Sequence, residues 1–338
     1  MQLAKNGLGT TRPNPMVGSV IVYNNKIIGE GYTSPYGGNH AEVNAINSVT
    51  DKALLSKANL YVSLEPCNHF GKTPPCSDLI VSRQIPKVVI GCIDPFDKVA
   101  GKGIEKLQKN GCEVTVGVLE AACIEMNRRF FTYHTKKRPY IVLKWAETND
   151  RFIDTIRTEK DIVKPTWISN RYARQLVHKW RSEEQGILIG TNTALHDNPK
   201  LDVRHWSGNS PVRIVLDRTG KIPKQYHLFD KPIQTIVFTE KKQKSTSKNI
   251  LFKNLDFSGK VPQQLCDALY ELEIQSVFIE GGAQTIQSFI DADLWDEARI
   301  FIGDVSFNKG VKAPTIEGVE MYRQSIQKDV LKIIRKKH

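Results

Sequence analysis

Short apolar runs alternate with amphipathic stretches through the first part of the chain. Continuous or alternating apolar runs predict strands, and apolar positions three and four apart predict helices. The predicted strands cover residues 19–23, 26–32, 60–64, 87–93 and 113–116, and the predicted helices cover residues 40–49, 77–83 and 104–110. Asn24-Asn25 is a turn signal between the first two strands. This order predicts a largely open α/β sheet with helices on both faces.

A basic interruption in this pattern marks the expected domain boundary. Residues 120–134 have helical spacing, and the sequence Lys136-Lys137-Arg138-Pro139 then breaks it. We therefore predict two domains, residues 1–137 and residues 138–338. The length of 338 residues also favours two domains over one.

The second part restarts with strand and helix patterns of its own. The predicted strands cover residues 140–145, 187–190, 212–216, 235–238, 276–280 and 296–302, and the predicted helices cover residues 170–179 and 283–292. Ser169 is expected to cap the first of these helices. The two parts do not resemble each other, so the chain is not an internal repeat.

Composition and charge narrow the classes of function. The net charge is +12, but no basic stretch is interleaved with aromatic residues, so phosphorylated small molecules are favoured over nucleic acid. The six cysteines are too sparse for a disulfide scaffold and fit a reducing cytoplasm. We find neither an apolar segment of the signal-peptide type nor a run long enough to cross a membrane.

The strongest chemical signal combines His40, Cys67 and Cys76 with Glu42. One imidazole and two thiolates supply three zinc ligands and leave a fourth position for water. Glu42 is not needed as a ligand, and it could move a proton from that water to a leaving amine. A lone histidine or cysteine is usually structural, but this combination predicts one Zn²⁺ per chain in a hydrolytic deaminase.

The residues around the cysteines resemble a known family. The cytidine-deaminase-like group carries H-x-E with P-C-x-x-C, whereas here eight residues separate the two cysteines. The run Glu65-Pro66-Cys67-Asn68-His69-Phe70-Gly71-Lys72-Thr73-Pro74-Pro75-Cys76 resembles the deaminase domain of the bifunctional riboflavin enzymes called RibD or RibG. Residues 11–18, TRPNPMVG, resemble the substrate-side loop of the same family.

The resemblance implies a cytidine-deaminase-like α/β/α sandwich and a particular substrate. That substrate is a diaminopyrimidinone carrying a ribosylamino 5-phosphate, whose 2-amino group is replaced by water. The resemblance also implies that Asn14 contacts the pyrimidine, and that His69, Lys72 and Thr73 bind substrate from the loop between the cysteines. Phe96 stands where the family often has asparagine, so no base contact is expected there.

The second domain carries weaker signals of its own. No G-x-G-x-x-G follows its first strand, so a Rossmann dinucleotide site is not supported. Glu280-Gly281-Gly282-Ala283 lies between a predicted strand and a predicted helix, where backbone N–H groups could hold a phosphate, although such pairs are often plain turns. Residues 190–199 form a polar loop after a strand, a common position for a site.

These segments resemble the reductase domain of the same family, which is similar in fold to dihydrofolate reductase. The resemblance implies that NADPH is the cofactor and that most residues that hold the substrate are charged. The implied NADPH contacts are Ala146, Trp167, Thr193, Asp197, Gly282, Ala283, Gln284, Thr285, Ile286, Gln287 and Ser288. The implied substrate contacts are Lys144, Arg181, Leu201, Arg204 and Glu280. Asn149, Arg151 and Pro165 depart from the family pattern.

Two other functions remain open from the residues. One is a nucleoside, nucleotide or tRNA deaminase joined to an unrelated C-terminal module. The other is a non-catalytic binding protein stabilised by zinc, which Glu42 argues against because a structural site needs no proton shuttle. We expect a cytoplasmic homo-oligomer that binds neither nucleic acid nor membrane. Met1 lies close to the family's first loop, which suggests that part of the family's first helix is missing here.

Overall fold

The computed structural model describes all residues except 71–73, 97–98, 159–161, 231, 244, 246 and 338. The chain divides into two compact units, Met1–Lys137 and Arg138–His338. Each unit contains its own sheet and its own apolar core. No helix in the described ranges is long and apolar enough to span a bilayer.

The first unit is built on a five-stranded sheet. Its strands are β1 (Gly18–Tyr23), β2 (Lys26–Tyr32), β3 (Asn59–Val62), β4 (Lys87–Ile90) and β5 (Glu113–Val116), and its helices are α1 (Gln2–Lys5), α2 (Ala41–Ser48), α3 (Cys76–Ser82), α4 (Lys102–Lys109), α5 (Glu120–Met126) and α6 (Arg128–Lys136). The strand order is β2-β1-β3-β4-β5, with β1 antiparallel to both neighbours and β3, β4 and β5 parallel.

Local sequence explains two features of this sheet. Asn24 and Asn25 have φ values of 47° and 58°, the left-handed conformation that a two-residue hairpin turn between β1 and β2 requires. Gly31 on β2 lies directly against α2, since a Cβ there would come within 2.5 Å of the Ala45 nitrogen. The helix that begins after His40 is therefore packed closely onto the sheet.

The second unit contains a nine-stranded sheet. Its strands are β6 (Tyr140–Thr148), β8 (Gly186–Ile189), β9 (Val212–Leu216), β10 (Thr235–Thr239), β11 (Ile250–Asn254), β12 (Ser276–Glu280), β13 (Glu297–Gly303), β15 (Val319–Ile326) and β16 (Asp329–Arg335), and β7 (Phe152–Asp154) pairs with β14 (Val311–Lys312) outside it. Its helices are α7 (Arg171–Glu183), α8 (Thr191–Asp197), α9 (Val261–Glu271) and α10 (Ala283–Asp291).

The order of the large sheet is β11-β10-β9-β8-β12-β6-β13-β16-β15. All neighbours from β11 to β13 are parallel, and β16 and β15 complete the edge in antiparallel fashion. Alternate residues of the central strands enter two separate apolar layers, as the two-residue period of a strand requires. Trp145 and Phe289 belong to one layer, and Trp180 and Phe301 belong to the other.

The predicted α/β class is confirmed, but several details were wrong or missing. The side chain of Asn170, not that of Ser169, caps α7 by accepting hydrogen bonds from the Tyr172 and Ala173 nitrogens at 2.9 and 3.0 Å. The predicted loop after residue 190 contains helix α8. The sequence analysis also missed β11, α9 and the β15–β16 hairpin.

Candidate functional site

Three side chains of the first unit converge on one point. His40 is the residue before α2, Cys67 lies in the loop after β3, and Cys76 is the first residue of α3. The His40 Nδ1 atom lies 3.5 Å from the Cys67 Sγ and 3.3 Å from the Cys76 Sγ. Normal zinc bond lengths in a tetrahedron separate ligand atoms by about 3.6 Å. The donor set and its spacing therefore fit a single zinc ion.

The two thiols of this arrangement shift each other's pKa in opposite directions. A hydrogen bond from Cys76 lowers the pKa of Cys67 to about 4. The same bond, together with burial, raises the pKa of Cys76 well above its usual range. The pair is thus ready to act as metal ligands once the remaining proton leaves, since zinc binds thiolates.

Glu42 lies in the first turn of α2, beside these ligand atoms. Its carboxyl group is buried, and burial followed by the negative charge of Cys67 raises its pKa to about 7. A carboxyl group that can gain or lose a proton near neutral pH suits general acid–base work. Glu42 is not part of the three-residue cluster whose donor atoms lie within 4.8 Å of one another.

A buried carboxylate that the sequence analysis missed holds the cysteine loop. Glu65 precedes Pro66-Cys67 and accepts backbone N–H bonds from Gly101 and Gly103, both at 2.9 Å. A Cβ at Gly103 would lie 2.0 Å from the Pro66 oxygen, so only glycine permits this approach. The charged residue two positions before Cys67 was the available signal.

Two of the four predicted substrate residues of this unit, Asn14 and His69, lie among the described residues. Asn14 lies in the loop before β1, and its N–H donates to the Thr11 oxygen at 2.9 Å. The buried Nδ1 atom of His69 has no hydrogen-bond partner among the described residues, so it could bind a ligand. The predicted positions Lys72 and Thr73 lie outside the described residues.

A second cluster lies at the C-terminal end of β12 in the second unit. Arg181 on α7 donates from Nε to Glu280 Oε1 at 2.9 Å and from Nη2 to Oε2 at 2.7 Å. Lys144 is the β6 partner of Glu280 in the parallel register. Burial lowers the pKa of Lys144. Burial alone would raise the pKa of Glu280, but Arg181 and Lys144 outweigh it and lower that pKa to about 2.

The loop after α8 completes this cluster. The Arg204 nitrogen donates to His178 Nδ1 at 3.3 Å, and the Arg204 side chain pairs with Asp202. His178 is buried, and burial, with Arg181 next, lowers its pKa to about 4, so the ring is neutral. The sequence analysis missed His178. Leu201 has its side chain in the apolar core, so a substrate contact there would involve its backbone.

The residues predicted to contact NADPH are only partly brought together. Gly281 and Gly282 have φ values of 71° and 69°, and Thr193 lies against them, since a Cβ at Gly282 would be 3.0 Å from its Oγ1. A Cβ at Gly190 would lie 2.5 Å from Thr285 Oγ1. The starts of α8 and α10 are therefore adjacent, with left-handed glycines at the turn.

The other members of the predicted NADPH set differ in how accessible they are. Ile286 is fully buried in the core, and Gln287 bonds to Asp291 and accepts from the Thr315 nitrogen at 2.9 Å. Ser288 donates to the Thr285 oxygen. Trp167 is 58% exposed, with the Arg174 guanidinium 4.3 Å from its ring centre. The remaining predicted members are Ala146 on β6, Ala283 and Gln284 on α10, and Asp197 at the end of α8.

Comparison with known proteins gives consistent matches for both units. Residues 1–92 match the family described as the cytidine and deoxycytidylate deaminase zinc-binding region, and residues 139–323 match the RibD C-terminal domain. The chain is 38% identical to the riboflavin biosynthesis protein RibD of Aquifex aeolicus, over 97% of this chain and 91% of that protein. It is 37% identical to RibD of Actinobacillus pleuropneumoniae, over 96% of this chain and 88% of that protein.

A solved structure is similar to this chain over nearly its whole length. It is the diaminohydroxyphosphoribosylaminopyrimidine deaminase/5-amino-6-(5-phosphoribosylamino)uracil reductase of Thermotoga maritima. The two proteins superpose with a TM-score of 0.89 at 36% identity, covering 99% of this chain and 96% of the other. The similarity therefore extends over both units and is not confined to the metal-binding segment.

Proposed function

We propose that each of the chain's two units carries out one reaction of the RibD family of bifunctional riboflavin biosynthesis enzymes, to which the chain belongs. Residues 1–137 would deaminate 2,5-diamino-6-(5-phosphoribosylamino)pyrimidin-4(3H)-one. Residues 138–338 would then reduce the ribosyl side chain of 5-amino-6-(5-phosphoribosylamino)uracil to ribityl, with NADPH. The predicted fold of a deaminase domain followed by a reductase domain is confirmed.

The observation that carries the deaminase assignment is the convergence of His40, Cys67 and Cys76 beside buried Glu42. The three ligands would hold one zinc ion, which supplies an activated water when bound. The Glu42 carboxyl group would move a proton to the amine nitrogen that leaves. Asn14 would orient the pyrimidine, and His69 would offer its Nδ1 atom to the substrate. Lys72 and Thr73 would bind the phosphate end.

In the second unit, the chain's own residues would bind and orient both reactants. NADPH supplies a hydride when bound. The left-handed Gly281-Gly282 turn and the start of α10 would bind a cofactor phosphate through backbone N–H groups, beside Thr193. The remaining cofactor contacts would be Ala146, Trp167, Asp197, Ala283, Gln284, Thr285, Ile286, Gln287 and Ser288.

The charged cluster would receive the substrate. Arg181 and Arg204 would supply positive charge for the 5-phosphate, and Glu280, held by Arg181, would accept hydrogen bonds from ribosyl hydroxyl groups. Lys144 lies next to Glu280 in the register and would face the reacting carbon. Leu201 would contribute its backbone.

Both alternatives considered from the sequence are disfavoured. The match of residues 139–323 to the RibD C-terminal domain shows that the deaminase is not joined to an unrelated module. A non-catalytic zinc protein would not need the buried Glu42 carboxyl group.

We further propose a cytoplasmic homo-oligomer that binds no nucleic acid. The free cysteines support a cytoplasmic location. The homo-oligomer is supported by the exposed apolar residues of edge strand β15, which are Val319, Met321 and Tyr322.

The substitution Glu42→Gln tests the deaminase assignment. The amide keeps the size of the side chain but cannot move the proton, so ammonia release should fall by about a hundredfold or more. Zinc content measured by metal analysis should remain at one ion per chain. Glu120→Gln, which changes an exposed glutamate of the same unit, serves as the matched control. Unchanged turnover or loss of zinc in Glu42→Gln would contradict the assignment.

A further inference from the structure

In the described part of the connection between β7 and Trp167, three apolar side chains are exposed to solvent. Ile156, Ile162 and Val163 are 57%, 74% and 49% exposed. A segment that leaves its apolar side chains in water gains little from burial and must be held by polar contacts if it is to keep one conformation. The contacts made by Arg157 provide that attachment.

The Arg157 side chain is 8% exposed and joins three parts of the chain. Its Nε donates to Asp154 Oδ2 at 2.8 Å, at the end of β7. Its Nη2 donates to Thr166 Oγ1 at 2.9 Å, and its Nη1 donates to the Lys164 oxygen at 2.7 Å, both just before Trp167.

The third part is the C-terminal end of α8. Arg157 Nη1 also donates to the His196 oxygen at 3.2 Å, and Nη2 lies 3.2 Å from Asp197 Oδ1. Thr166 reinforces the arrangement by donating its hydroxyl to Asp154 Oδ1 at 2.6 Å. A planar guanidinium with five donors can satisfy carboxylates and carbonyl oxygens together, which a lysine ammonium cannot do in the same geometry.

Two of the NADPH contacts proposed above lie on the segments that Arg157 joins. Asp197 ends α8 and pairs with Arg157 directly. Trp167 immediately follows Thr166, which bonds to the same guanidinium. Because binding sites lose affinity when their contacts are not held in place beforehand, the residue that joins these segments should affect cofactor affinity.

We propose that Arg157 is a positioning residue of the reductase unit, which fixes Asp197 and the Trp167 segment relative to each other before NADPH binds. This inference rests on the proposed function of the second unit. The N–H groups of Arg157 donate to protein atoms, so its side chain need not contact the cofactor. Its effect is therefore expected in the binding of NADPH more than in the hydride-transfer step.

The test uses the full chain loaded with zinc. Arg157→Ala should raise the KM for NADPH by at least about tenfold, because several hydrogen bonds to a charged group are lost. The kcat at saturating NADPH should fall much less, and ammonia release should be unchanged. Arg157→Lys keeps the positive charge but lacks the planar guanidinium and its five N–H donors, so it should give an intermediate KM for NADPH. Arg323→Ala, at an exposed salt bridge in the same unit, is the matched control.

Thermal unfolding shows whether Arg157→Ala is folded. If it is not, the milder variant Thr166→Val tests the role of Arg157 instead. It removes the hydroxyl that accepts from Arg157 and donates to Asp154, and it should raise the KM for NADPH by about threefold. An unchanged KM in the folded Arg157→Ala protein, or in Thr166→Val when Arg157→Ala does not fold, overturns the inference. A fall in kcat alone also overturns it. If the wild-type protein oxidises no NADPH with the uracil substrate, the proposed function fails and this inference fails with it.

Discussion

At the level of single residues, the second unit holds a carboxylate in its charged form inside the protein. Glu280 is buried at the end of β12 and accepts hydrogen bonds from two of the three guanidinium nitrogens of Arg181, Nε and Nη2. Burial disfavours its charge, but Arg181 and Lys144 overcome that cost and lower its pKa from 4.5 to about 2. A permanently charged acceptor beside a buried lysine is suited to orient a hydroxylated substrate.

This lowered pKa predicts a pH dependence of stability. The stabilisation from charged Glu280 is complete above pH 4.5 and is lost as the pH falls toward 2. Within that window, the free energy of unfolding should fall more steeply for wild type than for Glu280→Gln, by about 1.4 kcal/mol per pH unit. All five tryptophans lie in the second unit, so tryptophan fluorescence during urea unfolding reports on it. Parallel pH curves for the two proteins would contradict this prediction.

At the level of elements, one asparagine connects a helix junction to the loop that carries Asn14. Asn127 lies between α5 and α6, and its side-chain oxygen and nitrogen bond to the Met16 nitrogen and oxygen, both at 2.9 Å. These two hydrogen bonds have the pattern of a residue pair between neighbouring β-strands, except that a side-chain amide takes the place of the second backbone. The loop before β1 is thereby held at a fixed distance from the helices.

We predict that Asn127→Ala loosens this loop without disturbing the metal ligands. The Met16 N–H and carbonyl groups would lose their partners, so the KM for the pyrimidine substrate should rise by about tenfold. Zinc content should remain unchanged, because none of the ligands touches Asn127. Steady-state ammonia release gives the KM, and Asn47→Ala, at an exposed asparagine of α2, is the control. A wild-type KM would show that the loop does not need this contact.

At the level of the whole molecule, the two sites belong to different compact units. His40, Cys67 and Cys76 lie within Met1–Lys137, whereas Lys144, Arg181 and Glu280 lie within Arg138–His338. Each unit has its own core, so loss of one site need not unfold the other unit. Each activity should therefore be removable without the other.

Removal of zinc should affect only the first reaction. If His40, Cys67 and Cys76 hold the proposed zinc ion, treatment with a chelator should remove it and stop ammonia release. NADPH oxidation with the uracil substrate should stay near its original rate, because no residue of that site is a proposed metal ligand. Added zinc should restore ammonia release. A parallel loss of NADPH oxidation would argue against independent sites.

The substitution Arg181→Ala should have the opposite effect. It leaves Glu280 buried without its bidentate partner and removes a positive charge intended for the substrate phosphate. NADPH oxidation should fall by about a hundredfold, while ammonia release stays within about twofold of wild type. The two assays on the same preparation measure this directly. Loss of both activities would count against the two-site arrangement.

The sequence by itself determined the order of most strands and helices, and it predicted the three residues that the structure brings together as a candidate metal site. Both depend on short-range information: the spacing of apolar residues in one segment, or H-x-E followed by two cysteines near the ends of predicted elements. It did not predict the cap at Asn170 or helix α8, where polar residues are compatible with either a loop or a helix. The resemblance supplied the proposed substrate and NADPH contacts.

Only the tertiary structure decided which distant residues meet. Asn127 and Met16 are 111 positions apart, and Arg181 and Glu280 are 99 positions apart. Arg157 shares no sequence motif with His196 and Asp197, but it donates to the His196 oxygen and forms an ion pair with Asp197. Such pairs depend on how the elements pack in three dimensions, and no local pattern of hydrophobic and polar residues records that packing.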